Sequence, residues 1–534
     1  MIRYLVSAAI LTVISGLPSI SQAKEETQPS VWTGCGDSPV SAKSNPLMGL
    51  LVARVVPQKI SPAEGIDQCT AALYALAADA GWERRAALLR SRAKFYVAVK
   101  KHKSALADLD AIAAIEKPDV AYSRSFAVSL NMLRALAYME AGRRDDAAAA
   151  AYKATQARPW SLRVAQFAFA LSSLRTKIPS GEKPLWDNLV RLDPDYFEKR
   201  AINLIRAGDW KDALADWQTV KPAPGEIGQA YVNVPNVRVT GAPGIPVKGV
   251  NIGRTAQAVI AAYVTAHTDL ADAWLAKAKE GINTPHEANR FERDFNIAMK
   301  PDEQIAELYE WAGLFEAASL VGKGDAEGAA KKIEALPRMP FSQATLALIR
   351  TTIEKLPPDS RTRLQSLLTQ VEEQFLLDSN ERYVSKFNPA ELLDEIPDHE
   401  EVMLANPYKS AVKFLKANGF SVKVAKDGKT ADVSFYGNKS HPFAIGEMAL
   451  LRTADLTTEQ GQSAFRIISN NDFVRTSTMT MYGKEVGPTK IMGHSTQLKI
   501  EFVDLSTSKV SADIIQATDV QAALGPIYVK PDAK

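Results

Sequence analysis

Cysteine is scarce, with only Cys35 and Cys69 in 534 residues. So few exclude a cysteine-rich scaffold, and with no C-x-x-C pair and no histidine close to either they carry no zinc or redox motif. The six histidines, His102, His267, His286, His399, His441 and His494, stand singly, so no two lie at metal-ligand spacing on one helix. An excess of charge of one sign is also lacking. Against 64 Lys and Arg stand 61 Asp and Glu, and the net +3 supplies no whole-protein field for nucleic acid. The chain has no G-x-S-x-G elbow and no phosphate-binding G-x-x-x-x-G-K-[ST] loop, and Gly322-Lys323-Gly324-Asp325 reads as a turn between helices. No cofactor is expected. Beyond the first segment no apolar run approaches the roughly 20 residues of a membrane-spanning helix.

That first segment reads as an export signal. Arg3 is its positive end, Leu5 to Leu17 its apolar core, and Ser21-Gln22-Ala23 a small-x-small cleavage site, with cleavage expected after Ala23. Lys24, Glu25 and Glu26 separate the core from Cys35, and Trp32-Thr33-Gly34 before that cysteine lacks the apolar residue of a lipid-attachment site. A periplasmic or secreted location follows as the expectation. In an oxidising compartment Cys35 and Cys69 should pair, and closing that loop would constrain the unfolded chain by about 4 kcal/mol.

Hydrophobic residues at 46% and charged residues at 23% are those of an ordinary globular protein, long enough for two or three domains. From Ile66 to about Leu377 the chain is rich in Ala and Leu at helical spacing. Gly142 is preceded by Ala135 and Tyr138 and followed by Ala147, Ala154 and Pro159. The same offsets give Ala201, Leu204, Ala213 and Trp217 around Gly208, Ala317, Leu320, Ala329 and Ile333 around Gly324, and Ala93, Tyr96, Ala105 and Leu109 around Lys100. Small residues at these places let two antiparallel helices approach, and glycine permits the tight turn. The pattern resembles the tetratricopeptide repeat, although its period drifts. The resemblance implies five to seven helical hairpins whose concave face binds a protein or peptide.

The composition changes after the acidic residues Glu391, Asp394, Glu395, Asp398, Glu400 and Glu401. Phe420 to Lys426 and Thr430 to Gly437 alternate around Asp427-Gly428, which predicts a hairpin. Met448 to Glu459 predicts a helix, Ala464 to Ile468 and Gln497 to Leu505 predict strands, and Asn470 to Gly493 a long polar connection. One helix on a small antiparallel sheet packs these economically. Residues Val433 to Asn438, Ala449 to Thr457 and Gly461 to Ile468 resemble a family of uncharacterised bacterial envelope lipoproteins, from which no activity is carried over.

The expected fold is therefore mostly α, a tetratricopeptide-like helical superhelix followed by a small α+β C-terminal domain. The expected parts are a signal peptide (1–23), an N-terminal segment with the disulfide (24–65), helical repeats (66–220), a Pro/Gly-rich insertion (221–250), further repeats (251–380), an acidic linker (381–405) and the α+β domain (406–534). The leading functional expectation is a non-catalytic scaffold for a protein or peptide in the cell envelope. A second is a binder of an anionic envelope polymer or lipid. It would use the acid-free basic run Arg84, Arg85, Arg90, Arg92, Lys94, Lys100, Lys101 and Lys103, although such a run is also what a solvated helix looks like. A third is a hydrolase built from His441, Glu447 and Asp472 in the C-terminal domain.

Overall fold

The computed structural model describes Cys35 and, short gaps aside, residues 61–76, 81–117, 123–232, 245–285, 300–379, 408–411, 418–505 and 511–529. The expected signal peptide and acidic linker lie outside these residues.

Among the described residues, five pairs of helices are joined by three-residue turns. α1 (Pro62–Ala75) precedes them. α2 (Trp82–Ala98) turns at Lys100 into α3 (His102–Ile115), and α4 (Phe126–Glu140) turns at Gly142 into α5 (Arg144–Ala157). After α6 (Leu162–Ser172) and α7 (Lys183–Leu192), α8 (Phe197–Arg206) turns at Gly208 into α9 (Trp210–Thr219). α10 (Ile252–Val264) turns at Ala266 into α11 (Thr268–Asn283). After α12 (Pro301–Glu310), α13 (Ala312–Gly322) turns at Gly324 into α14 (Ala326–Glu334). All five turn residues have a positive φ, between 59° and 85°. In each, the turn residue donates its N–H to the carbonyl three back and the next residue to the carbonyl five back, as Lys100 does to Val97 (3.0 Å) and Lys101 to Tyr96 (2.8 Å). This pattern closes the first helix by a Schellman motif. The following residue then opens the second helix, and where it is Asp209 or Asp325 its carboxylate accepts the N–H of Asp212 or Gly328.

Packing repeats with the turns. Five residues after them stand Ala105, Ala147, Ala213, Ala271 and Ala329, each at most 1% exposed, so the second helix can lie close to the first. Eight residues either side of the turn, Arg92 pairs with Asp108, Arg200 with Asp216 and, with charges exchanged, Glu316 with Lys332. Arg200 holds Asp216 at 2.7 and 2.5 Å in the core, where burial pushes the Asp216 carboxyl up to about 6.

The later hairpins do not form an open solenoid. α15 (Gln343–Lys355) packs against α8, α10, α13 and α14, elements far apart in sequence. Ala344, Leu346, Ala347, Leu348 and Ile349 are all buried, so neighbours surround this helix on every side. Trp210 Nε1 donates to Thr351 Oγ1 at 2.9 Å, and Arg350 both donates to the Thr176 carbonyl at 2.8 Å and pairs with Glu372 of α16 (Thr362–Ser379). α15 thus contacts the first helices of three hairpins, α8, α10 and α13. Between α9 and α10, β1 (Ile227–Val232) and β2 (Ile245–Val250) pair antiparallel.

The C-terminal α+β part is a five-stranded sheet of order β3-β4-β8-β5-β9, with β3 (Gly419–Val424), β4 (Thr430–Gly437), β5 (Ala464–Ser477), β8 (Lys490–Val503) and β9 (Ile514–Gln516). A two-stranded piece, β6 (Thr480–Met481) with β7 (Lys484–Glu485), lies between β5 and β8. Ala431, Val433, Phe435, Leu498, Ile500, Phe465 and Ile467 turn one face toward α17 (Pro442–Glu459) and α18 (Ala517–Tyr528). α17 starts at Pro442 rather than Met448, because His441 caps it and proline suits its first turn. The expected polar connection Asn470–Gly493 is largely paired ribbon. A bulge between Ile467 and Ser469 breaks the alternation while the backbone stays bonded to β8, so the sequence loses its strand signal there. β9 and α18 were not expected.

Two predictions concern these elements. A Cβ at Gly142, Gly208 or Gly324 would meet no neighbour, so substitutions there report backbone strain alone. Urea unfolding should show Gly208→Ala and Gly324→Ala less stable by about 1 kcal/mol each, and Ala266→Gly more stable by about the same. Cys35 and Cys69 are bonded, buried against Ala72 and Leu88. Reduction should cost up to about 4 kcal/mol while leaving the far-ultraviolet helical signal in place. Two reactive thiols in the unreduced protein would contradict the bond.

Candidate functional site

The ionisable residues singled out in the C-terminal part meet the helical array. α17 crosses this boundary with Phe443, which belongs to the core of the array, while Leu192 of α7 belongs to the core of the sheet. One turn beyond Phe443, Glu447 is wholly buried. Arg158, which caps α5, donates from Nε to its Oε1 at 2.9 Å and from a terminal nitrogen to Oε2 at 3.2 Å. Arg124 donates to Oε2 at 3.0 Å, and the Tyr528 hydroxyl of α18 donates to the same oxygen at 2.6 Å. Burial would raise this carboxyl, but the charges of Arg158 and Arg124 and the hydrogen bonds from Arg158 and Tyr528 outweigh it and hold it below the ordinary carboxylate range. Four side chains from four places in the chain thus form one charged clamp.

The three candidate catalytic residues have separate employments. His441 Nδ1 accepts the Phe443 N–H at 3.4 Å as the cap of α17. Glu447 is the centre of the clamp. Asp472 on β5 accepts from Arg163 at 3.2 Å and from Thr496 at 2.6 Å. Of the three, Asp472 alone lines the adjoining cleft, whose walls include Trp160, Arg163, Leu192, Phe443 and Thr496. The cleft encloses about 20 Å³, room for one water molecule and not for a substrate. The structure therefore does not assemble the expected hydrolase set.

Sequence reasoning passed over Asp193, which caps a short 3-10 turn (Pro194–Tyr196) at this boundary. Burial, with added repulsion from Asp195 and Asp472, pushes its carboxyl up to about 6. Its signal was present only as the Arg191-Leu192-Asp193-Pro194-Asp195 run at a repeat end.

The basic run Arg84–Lys103 is not one face. Lys100 ends α2 in a left-handed turn, so Lys101 and Lys103 belong to the next helix. Arg90 points inward, bonding Ser129 and lying 5.8 Å over Phe126. Arg92 makes a two-point ion pair with Asp108 at 2.7 and 2.8 Å. Arg84 is exposed, and Arg85 and Lys94 are half-buried. Arg84 and Arg85 sit about 25 Å along α2 from the exposed Lys100, Lys101 and Lys103. Helical geometry divides the expected patch into a three-lysine cluster at the turn and two arginines at the far end.

The clamp makes a signed prediction. A depressed carboxyl contributes stability above its unfolded pKa of about 4.3 and loses it as pH falls through the folded value. Asp193 and Asp216, pushed up to about 6, contribute stability at low pH that is lost as pH rises through about 6. Denaturation midpoints should therefore peak on the acid side of neutrality and fall steeply below about pH 4. Glu447→Gln should cost about 3 to 5 kcal/mol at pH 7, by leaving buried arginines without their counter-charge, and should flatten the acid limb.

Among known proteins, no family profile and no curated protein matches this chain, which leaves the envelope-lipoprotein resemblance without support. Among solved structures it is similar to the crystal structure of the P58(IPK) TPR domain, at 16% identity over 64% of this chain and 88% of that one, with a TM-score of 0.15. At that score the likeness carries no argument by itself, and the reading of this array as tetratricopeptide-like stands on the five hairpins and their turns.

Proposed function

We propose that the protein is a cell-envelope scaffold, exported and cleaved after Ala23, that binds a protein or peptide and performs no chemistry of its own. The supporting observation is a repeated pair of side chains on the first two hairpins. Four residues before the turn stand Tyr96 and Tyr138, half-buried, and eight before it Arg92 and Arg134. Arg92 lies 5.8 Å from the Tyr96 ring and Arg143 lies 4.4 Å from that of Tyr138, while Arg134 pairs with Asp110 at 2.8 Å. Tyrosine and arginine held rigid in this way are the usual anchors of protein interfaces. The first helices of the later hairpins, α8, α10 and α13, pack instead against α15, so the proposal places the partner on α2 and α4. A photo-crosslinking residue at position 96 or 138 in the native envelope should yield polypeptide adducts, and the same residue at exposed Tyr309 should not. Adducts of equal yield at all three positions, or none, would contradict the assignment.

The exposed Lys100, Lys101 and Lys103 cluster favours a second reading, an anionic envelope polymer or lipid. Binding to anionic lipid vesicles that vanishes in the triple Lys→Glu variant, with glycan or lipid adducts at position 96, would replace the first reading with the second.

A further inference from the structure

The five hairpin turns share a backbone and differ in what fills it. The left-handed place is glycine in three turns, Ala266 in one and Lys100 in the first. In the place after it, Asp209 and Asp325 cap their helices by accepting the N–H three residues on. The first turn has Lys101 there, whose side chain makes no such bond to α3. Both lysines stand where the local physics disfavours them. A left-handed lysine is strained relative to glycine, and a cation at a helix N-terminus meets the positive end of the helix dipole. The first turn of α3 holds no acid to offset it. In the second turn the same place is Arg143, but there Asp146 of α5 pairs with it at 2.7 Å.

Lys100, Lys101 and Lys103 are exposed, and among the described residues no carboxylate pairs with any of them. Tyr96, four residues before Lys100, is half-buried against the core of the array, and its hydroxyl bonds no group among the described residues. Tyr138 holds the equivalent place one hairpin on, with Arg143 4.4 Å from its ring. α2 and α4 pack side by side, so the two rings lie about 10 Å apart, the span of about three residues of an extended chain. Charge names the occupant. Three cations at one end of a pair of tyrosines complement a segment with carboxylates at one end and apolar residues that reach the rings. A lipid surface needs a broader patch: clusters that hold anionic lipid carry about four to eight basic residues, and Arg84 and Arg85 stand about 25 Å away along α2.

We propose that the α2–α3 turn docks an acidic segment of the partner polypeptide, with its carboxylates beside Lys100, Lys101 and Lys103 and its apolar residues on Tyr96 and Tyr138. The proposal rests on the protein-binding reading and names the chemistry of the partner at that site. The probe is a fluorescent, C-terminally amidated peptide with leucines three places apart among serines, followed by a run of glutamates. Its anisotropy with the full-length protein should saturate, and glutamine in place of glutamate should weaken binding about tenfold or more. Lys101→Asp should weaken binding to a similar degree while raising the urea midpoint, because aspartate there would cap α3 as Asp209 and Asp325 cap their helices. Reversing the charge of all three lysines should transfer binding to the same peptide with lysines for glutamates, and Tyr96→Ala should weaken both peptides alike. No saturation, equal binding of the glutamine peptide, unchanged binding by Lys101→Asp, or no transfer to the lysine peptide would overturn the proposal. So would tighter binding after reversal of Glu400 and Glu401, which gives the turn to the chain's own acidic run, or a dimer in sedimentation that the three lysine reversals dissolve, which gives it to a second copy. Binding to phosphatidylglycerol vesicles but not to the peptide would give it to a lipid. If the peptide fails while polypeptide crosslinks at positions 96 and 138 persist, the scaffold reading survives with a partner of other chemistry; if those vanish as well, the scaffold reading falls on its own test.

Discussion

A carboxylate with no access to water has to be paired, and the pairing of Glu447 decides how the molecule is put together. It sits on a helix that otherwise turns Met448, Leu451 and Ala454 into an apolar core. Its partners come from the array, Arg124 and Arg158, and from the last helix, Tyr528. The desolvation of such a group can match or exceed the attraction it gains, so the clamp is better understood as a device of orientation than as a store of stability. The observed seating of the sheet on the array satisfies all four groups together. Phe443 and Leu192, exchanged across the boundary, supply the apolar burial that the ions do not.

The array follows the same logic of completion from within. An open stack of hairpins leaves a groove, yet here α15 lies across α8, α10 and α13 with apolar residues all round. The first helices of the opening hairpins, α2 and α4, carry no comparable packing against α15.

What could be read from the sequence is what local physics decides. Gly142, Gly208 and Gly324 marked their turns because a left-handed residue is cheapest as glycine, and Asp427-Gly428 marked the β3–β4 hairpin for the same reason. Ala266 adopts the identical turn with nothing in its residue type to announce it. The central place of α15 was written in the consecutive apolar residues Leu346 to Ile349, which no one-sided helix would need, but the helices around it lie more than a hundred positions away in some cases and leave no local trace. The clamp was half legible: Glu447 stood out as an ionisable group, whereas Arg158, 289 positions earlier, could not be matched to it. The basic run was conspicuous in composition, yet only the fold shows that Arg90 is buried and Arg92 is paired with Asp108 while the lysines at the turn are exposed.

The central claim is that Glu447 and Arg158 act as one unit that seats the two parts of the chain. A double-mutant cycle on the full-length protein, with Glu447→Leu, Arg158→Met and the pair measured by denaturant unfolding, tests it most directly. The account predicts that either single change costs several times more than a typical substitution, and that the second change recovers much of the loss, a coupling of about 2 kcal/mol or more. Additive effects of the two changes would contradict it, showing that the carboxylate and the guanidinium reach their places independently.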